Sequence, residues 1–250
     1  MISKRYESIG LKQAIRFEWM QKVANLLLAG LDANTIRQEL HEFLMNKKGD
    51  GSEGERSDQT RSFVVNNLMK VWVSPDPDLI PFRDASLAFL RQNPSMDLAV
   101  HWSMISAAYP FWISVARHTG RLIALQDQVT QAQIINRLKE QYGDRQTVSR
   151  YARFVIRSFV AWGVLKDSDA KGCYEKTMPV SVSDINLVVL MFESALLTTL
   201  DSKISLGLLT NSPGFFPFQI PVVSGDFLAN NSERIDVARY GMGDELLMLR

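Results

Sequence analysis

Arginine, glutamine and serine side chains share one face of a predicted helix, and these residue types are suited to binding nucleic acid. An α-helix turns by about 100° per residue, so positions three, four and seven apart lie on the same side. That face contains Gln146, Ser149, Arg150, Arg153 and Arg157. Arg145 adds a cation at the helix start. Arginine forms bidentate hydrogen bonds with guanine, and glutamine with adenine, so this face has the chemistry of a DNA-contacting surface.

The other face of this helix is apolar, which predicts that it packs against a core. It consists of Val148, Tyr151, Ala152, Val155, Phe159 and Trp162. Before it, Thr130 is a predicted N-cap for a helix over residues 131–142, and Gly143 predicts a tight turn. After it, residues 163–166 and 173–178 read as two strands joined by a polar turn. Helix, turn, longer helix and ribbon predict a winged helix-turn-helix over residues 121–180.

Lysines on the predicted ribbon extend the candidate contact surface. Lys166, Lys171 and Lys176 are placed to reach backbone phosphates beside the helix. Asp167 and Asp169 weaken this interpretation locally, because they repel phosphate. Lysines on an exposed hairpin also serve solubility alone.

The net charge of +1, from 28 basic and 27 acidic residues, gives no sign of a polybasic protein. The charge is unevenly distributed, however. Residues 137–166 contain seven basic and two acidic residues, a net +5, so the remaining 220 residues sum to −4. A local basic excess of this kind is typical of a phosphate-binding footprint.

Two other functions fit the same pattern. An arginine-rich helix face is often only a solvated surface, and many winged helices bind proteins, so an assembly adaptor is one alternative. A winged-helix transcriptional regulator is the other, and it predicts one tight operator and a symmetric dimer.

The remaining elements predict a mainly α protein with a small β content. Helical periodicity favours helices over residues 11–28, 33–45, 61–73, 82–92 and 96–118, with Pro110 kinking or splitting the last one. Residues 46–60 read as a solvated loop, and residues 122–125 as a short strand. Asp184 is a predicted cap for a helix to about residue 200, and residues 234–240 and 246–249 predict a hairpin turning at Gly241-Met242-Gly243.

Three segments follow from this pattern. Residues 1–120 are predicted to form a helical bundle and residues 121–180 the winged helix-turn-helix. Residues 181–250 are predicted to form a C-terminal helix and a small β extension that pack on the winged helix. The aromatic run at residues 215–218 is expected either to pack on the bundle or to dock a partner chain.

Nothing in the residue pattern favours catalysis. His41, His101 and His118 have no metal-ligand spacing, and phosphate-binding glycine loops and a nucleophile elbow are absent. His101 lies in an apolar stretch and is predicted to be buried. We therefore expect no enzyme activity, no metal, no cofactor and no small-molecule substrate.

Localisation follows from three absences. The N-terminus lacks the apolar core of a signal peptide, and no apolar stretch is long enough to cross a bilayer. Cys173 is the single cysteine, so no internal disulfide forms. We expect a cytoplasmic protein with no membrane partner.

The sequence also resembles a known family, over about residues 11–180. The similar residues are the 23–32 stretch Val-Ala-Asn-Leu-Leu-Leu-Ala-Gly-Leu-Asp with Ile36-Arg37, Tyr109-Pro110-Phe111-Trp112, and residues 151–165 ending in Trp-Gly-Val-Leu. On these patterns the chain resembles the A-component of BREX phage-defence systems, in which a helical bundle precedes a winged helix. The loop at 46–60 and the last 50 residues depart from that pattern.

The resemblance implies a non-enzymatic accessory protein that binds double-stranded DNA. Such a protein works in a bacterial anti-phage system beside other subunits of a defence complex, which include larger methyltransferase and ATPase subunits. The bundle of that family is similar to an RNA-binding antitermination factor. This implies a second nucleic-acid or protein surface on the N-terminal half.

Overall fold

The computed structural model describes residues 4–6, 9–240 and 244–250, and its fold is mainly α with small β-sheets, as predicted. The N-terminal half is helical. Its α-helices are α1 (Phe17–Leu28), α2 (Ala33–Phe43), α3 (Asp58–Leu68), α4 (Ile80–Gln92), α5 (Asp97–Ala108) and α6 (Pro110–Ile123). The predicted break at Pro110 is confirmed, because proline begins α6 and its ring excludes continuation of α5.

The first helix begins later than its periodicity predicted. Residues 11–16 are not helical, although Leu11 and Ile15 are buried. The backbone of Ile15 is instead hydrogen-bonded to the side chain of Ser158 in α8 (Gln146–Ala161) and to that of Trp162, which follows α8. Its N–H donates to Ser158 Oγ at 2.9 Å, and its carbonyl accepts from Trp162 Nε1 at 2.9 Å. Tertiary hydrogen bonds therefore replace those of a first helical turn.

The middle of the chain pairs three short strands beside two helices. After α6 come β1 (Gln128–Thr130), α7 (Gln131–Tyr142), α8, β2 (Leu165–Asp167) and β3 (Cys173–Lys176). The sheet is antiparallel in the order β1-β3-β2. The prediction of a strand at residues 122–125 is wrong. Ile123 is buried at the end of α6, and the strand forms at 128–130 because β3 supplies its partner.

The C-terminal part combines one apolar helix with short strands. Its elements are β4 (Val180–Ser181), α9 (Ile185–Leu196), β5 (Lys203–Ser205), α10 (Leu206–Thr210), β6 (Phe218–Gln219), α11 (Gly225–Asn230), β7 (Ile235–Tyr240) and β8 (Asp244–Leu249). Strands β7 and β8 are antiparallel, which confirms the two strands of the predicted hairpin, and β5 adds a third strand. The predicted turn, Gly241-Met242-Gly243, lies outside the described residues.

Buried apolar residues of all three predicted segments belong to one continuous cluster. The indole of Trp102 illustrates this continuity. Its ring centroid lies 5.1 Å from that of Phe159 on α8, and 5.8 Å from those of Phe216 and Phe218. The aromatic run at 215–218 therefore packs into the core, as the first of its two interpretations predicted. Within the described ranges, no helix is both long and apolar enough to cross a membrane.

Candidate nucleic-acid interface

Helix α7 is positioned by a complete capping box. Thr130 Oγ1 accepts from the Gln133 backbone N–H at 3.1 Å, and Gln133 Oε1 accepts from the Thr130 N–H at 2.8 Å. Gly143 then ends the helix with φ +85°, a value that glycine adopts without strain. The cap at Thr130 and the stop at Gly143 were both predicted, and α8 begins after this turn, at Gln146.

Burial of the apolar face orients α8. Val148, Ala152, Val155 and Phe159 are completely buried, whereas Tyr151 on the same predicted face is half-buried. Because this face is held by the core, the opposite face must point outward.

The outward face opens on a cleft of about 620 Å³ between α7 and α8. The cleft is lined by Lys139, Asp144, Gln146, Ser149, Arg150 and Arg153. Four of the predicted contact residues therefore lie together. The Arg150 and Arg153 side chains are exposed, and neither has an ion-pair partner among the residues that the structure describes. The cleft thus presents two unneutralised guanidinium groups beside amide and hydroxyl groups.

Two residues of the cleft were missed by the sequence reasoning. Lys139 Nζ lies 2.7 Å from Asp144 Oδ1, so these two charges neutralise each other at the rim. The tight turn at Gly143 brings the end of α7 next to the start of α8. That turn was the available signal for including Lys139.

Arg145 lies beside the cleft without lining it. Its guanidinium donates to the Tyr142 carbonyl at 2.8 Å, at the end of α7. The side chain remains exposed, so its charge stays accessible at the start of α8.

Arg157 is in a different situation from the other arginines of this face. Its Nη1 lies 2.5 Å from Asp167 Oδ1 on β2, and both side chains are about half exposed. Partial burial acts to lower the pKa of Arg157. The hydrogen bond and charge of Asp167 outweigh this effect, so the pKa of the guanidinium is raised.

The predicted ribbon lysines differ among themselves. Lys166 Nζ lies 2.6 Å from Glu175 Oε2, and Gln128 Nε2 also donates to Glu175 at 2.8 Å. These contacts raise the pKa of Lys166 and lower the pKa of Glu175. Lys171 is exposed and has no ion-pair partner in the described ranges. The ribbon therefore presents mixed charge, as its aspartates indicated.

The histidines lie apart from this cleft. His101 is buried between the rings of Phe17 and Trp72, with centroids at 5.5 Å and 5.3 Å, and burial lowers its pKa to about 3. His118 is hydrogen-bonded to Gln141 Oε1 at 3.0 Å, and partial burial lowers its pKa as well. Among the described residues, no three His, Cys, Asp or Glu side chains are grouped so that they could hold a metal ion.

The chemistry of the cleft suits an anionic polymer. Free guanidinium groups bind phosphate oxygens, and amide and hydroxyl groups hydrogen-bond base edges or sugars. Comparison of the chain with family models, with curated proteins and with solved structures found no match.

Proposed function

We propose that this chain is a non-enzymatic protein that binds double-stranded DNA with the outward face of α8. The observation that supports this most directly is the exposed cleft, in which Arg150 and Arg153 lack acidic partners among the described residues and lie beside Gln146 and Ser149. Exposed unpaired cations of this kind bind phosphate with release of counterions.

The arrangement of neighbouring elements supports a winged helix-turn-helix. In that motif the second helix enters the major groove with its N-terminal residues against base edges. Here α8 follows α7 after a tight turn, and β2 and β3 follow α8 as an antiparallel pair. In this docking Gln146 and Ser149 face bases, while Arg145, Arg150 and Arg153 neutralise phosphates.

We further propose that DNA binding serves an anti-phage system. This part of the proposal is motivated by the resemblance to the A-component of BREX systems, with its partner subunits. It predicts that the chain binds DNA beside other proteins and has no catalytic activity of its own.

A protein-docking adaptor is the second candidate, and two exposed side chains favour it. Leu125 and Met178 are 85% and 88% exposed, and they lie just beyond the β1–β3 ladder, at the end away from the 168–172 turn. Contiguous patches of exposed apolar side chains are typical of interaction sites. An adaptor predicts no duplex affinity even at low salt.

The first experiment is charge reversal in the cleft. We expect R150E/R153E to weaken binding of a short duplex about 60-fold or more at 0.1 M salt, because each lost phosphate contact costs a factor of about eight. Fluorescence anisotropy at several salt concentrations measures this change. For the wild type, three phosphate contacts give a slope of about −2.7 in log affinity against log salt.

The matched control reverses two exposed cations elsewhere. R91E/K203E makes the same change in net charge, on α4 and β5. We expect it to retain most of the affinity, and both double variants to keep the thermal unfolding midpoint of the wild type. Equal binding by R150E/R153E and the wild type would show that α8 is not the DNA-contacting helix. Titration of several sequences separates general DNA binding from a regulator with one tight operator.

A further inference from the structure

Arg157 lies in line with the free arginines of α8 but is bound within the protein. It follows Arg150 by seven positions, so it lies on the same side of the helix, roughly 10 Å further along the axis. Its guanidinium is bonded to Asp167, whose strand neighbour Tyr174 adds a hydroxyl contact. The row of arginines that helical spacing predicted, Arg150, Arg153 and Arg157, therefore ends in a residue whose charge is neutralised by Asp167.

The paired state changes what Arg157 contributes to a polyanion. The pair with Asp167 has no net charge, so its net attraction for phosphate and its net release of counterions are both small. If Arg157 turned to a phosphate, the Asp167 carboxylate would be left unpaired beside the DNA. Asp169 nearby is also exposed, but no ion pair involves it among the described residues.

We propose that Asp167 withholds Arg157 from DNA and thereby confines the contact to the N-terminal half of α8. This inference rests on the proposed function. Asp167 becomes a determinant of affinity that does not itself touch DNA, since it sets how many phosphates the helix neutralises. The partner concerned is the duplex backbone beyond the cleft, next to the β2–β3 ribbon.

Removing the charge of Asp167 tests this inference. In D167N the amide keeps the shape of the side chain but no longer holds the guanidinium by charge. We expect duplex affinity to rise about two- to eightfold at 0.1 M salt, and the salt slope to steepen by about 0.9, as for one added phosphate contact. Anisotropy titration of the full chain with the same short duplex measures both quantities.

The control removes a neighbouring charge that forms no ion pair within the described part of the chain. D169N deletes one negative charge two residues away, so it measures the general effect of charge on binding. We expect D169N to change the affinity less than twofold and to leave the slope unchanged. We expect D167N/R157Q to lose the gain, because the released guanidinium is then absent.

The outcomes separate this inference from the function on which it rests. If the wild type binds duplex but D167N behaves like D169N, or if the gain persists in D167N/R157Q, Asp167 does not withhold Arg157. If neither the wild type nor D167N binds duplex at low salt, the proposed function is overturned, and this inference with it.

Discussion

Three arginines on the outward face of α8 have the same helical spacing but different surroundings. Arg150 and Arg153 line an open cleft, whereas Arg157 is held by Asp167. Periodicity predicted that all three share a face, because that depends only on the helix repeat. The pairing of Arg157 depends on the return of the chain in β2, ten residues later. Which of these cations is free is therefore a tertiary property.

Another residue-scale consequence concerns His101. Burial lowers its pKa from 6.5 to about 3, so the folded protein keeps this imidazole neutral, whereas the unfolded chain protonates it below about pH 6.5. Between about pH 6.5 and pH 3 the unfolded state therefore binds one more proton at His101 than the folded state does. The free energy of unfolding falls as the pH is lowered through this range. The loss is about 1.4 kcal/mol per pH unit.

The variant H101F tests this dependence because phenylalanine keeps an aromatic ring between Phe17 and Trp72. We expect the free energy of unfolding of the wild type to fall more steeply than that of H101F between pH 6 and pH 4.5, by about 1.4 kcal/mol per pH unit. Urea unfolding at each pH measures the two slopes, and all other titrating groups are common to both proteins. Parallel slopes would mean that His101 is protonated in the folded state.

At the scale of elements, helix α6 is held against the segment after α10 at a glycine. A Cβ atom added at Gly120 would lie 2.1 Å from the Pro213 carbonyl oxygen, which is a backbone atom and cannot move alone. Trp102 Nε1 donates to the Gly214 carbonyl at 3.2 Å in the same region. Residues 213–214 therefore contact α6 so closely at position 120 that only glycine fits there.

We expect G120A to destabilise the protein by about 1–3 kcal/mol, because α6 must move away from residues 213–215. G207A is the control, since its added Cβ meets no atom closer than 3.8 Å and lies in the helix α10. Alanine has the higher helix propensity, so we expect G207A to be neutral or slightly stabilising. Thermal and urea unfolding measure the stability of both variants. A G120A variant as stable as the wild type would contradict the close approach of Gly120 to the Pro213 carbonyl.

At the scale of the whole molecule, the core crosses every predicted segment boundary. Trp102 of α5 is surrounded by rings from α6, α8 and the aromatic run at 215–218. A unit that loses its neighbours would expose these apolar surfaces, which costs roughly 25 cal/mol for each Å². We therefore expect the three predicted segments, residues 1–120, 121–180 and 181–250, to depend on one another for stability.

We expect a single cooperative unfolding transition as the result of this shared core. All five tryptophans are buried, and they lie in both the bundle and the α8 region, so their fluorescence reports on both. Urea curves from tryptophan fluorescence and far-ultraviolet circular dichroism should coincide. Two separated transitions would show that the predicted segments fold as independent units.

The sequence by itself determined the features that depend on neighbouring residues. It predicted the mainly α fold, the caps at Thr130 and Asp184, the break at Pro110 and the shared face of α8, because caps, proline geometry and helical periodicity act over a few residues. Only the tertiary structure decided where α1 begins, where β1 forms and which cations of α8 are paired. Each of these depends on a partner distant in sequence: Ser158 and Trp162 for residue 15, β3 for β1, and Asp167 for Arg157.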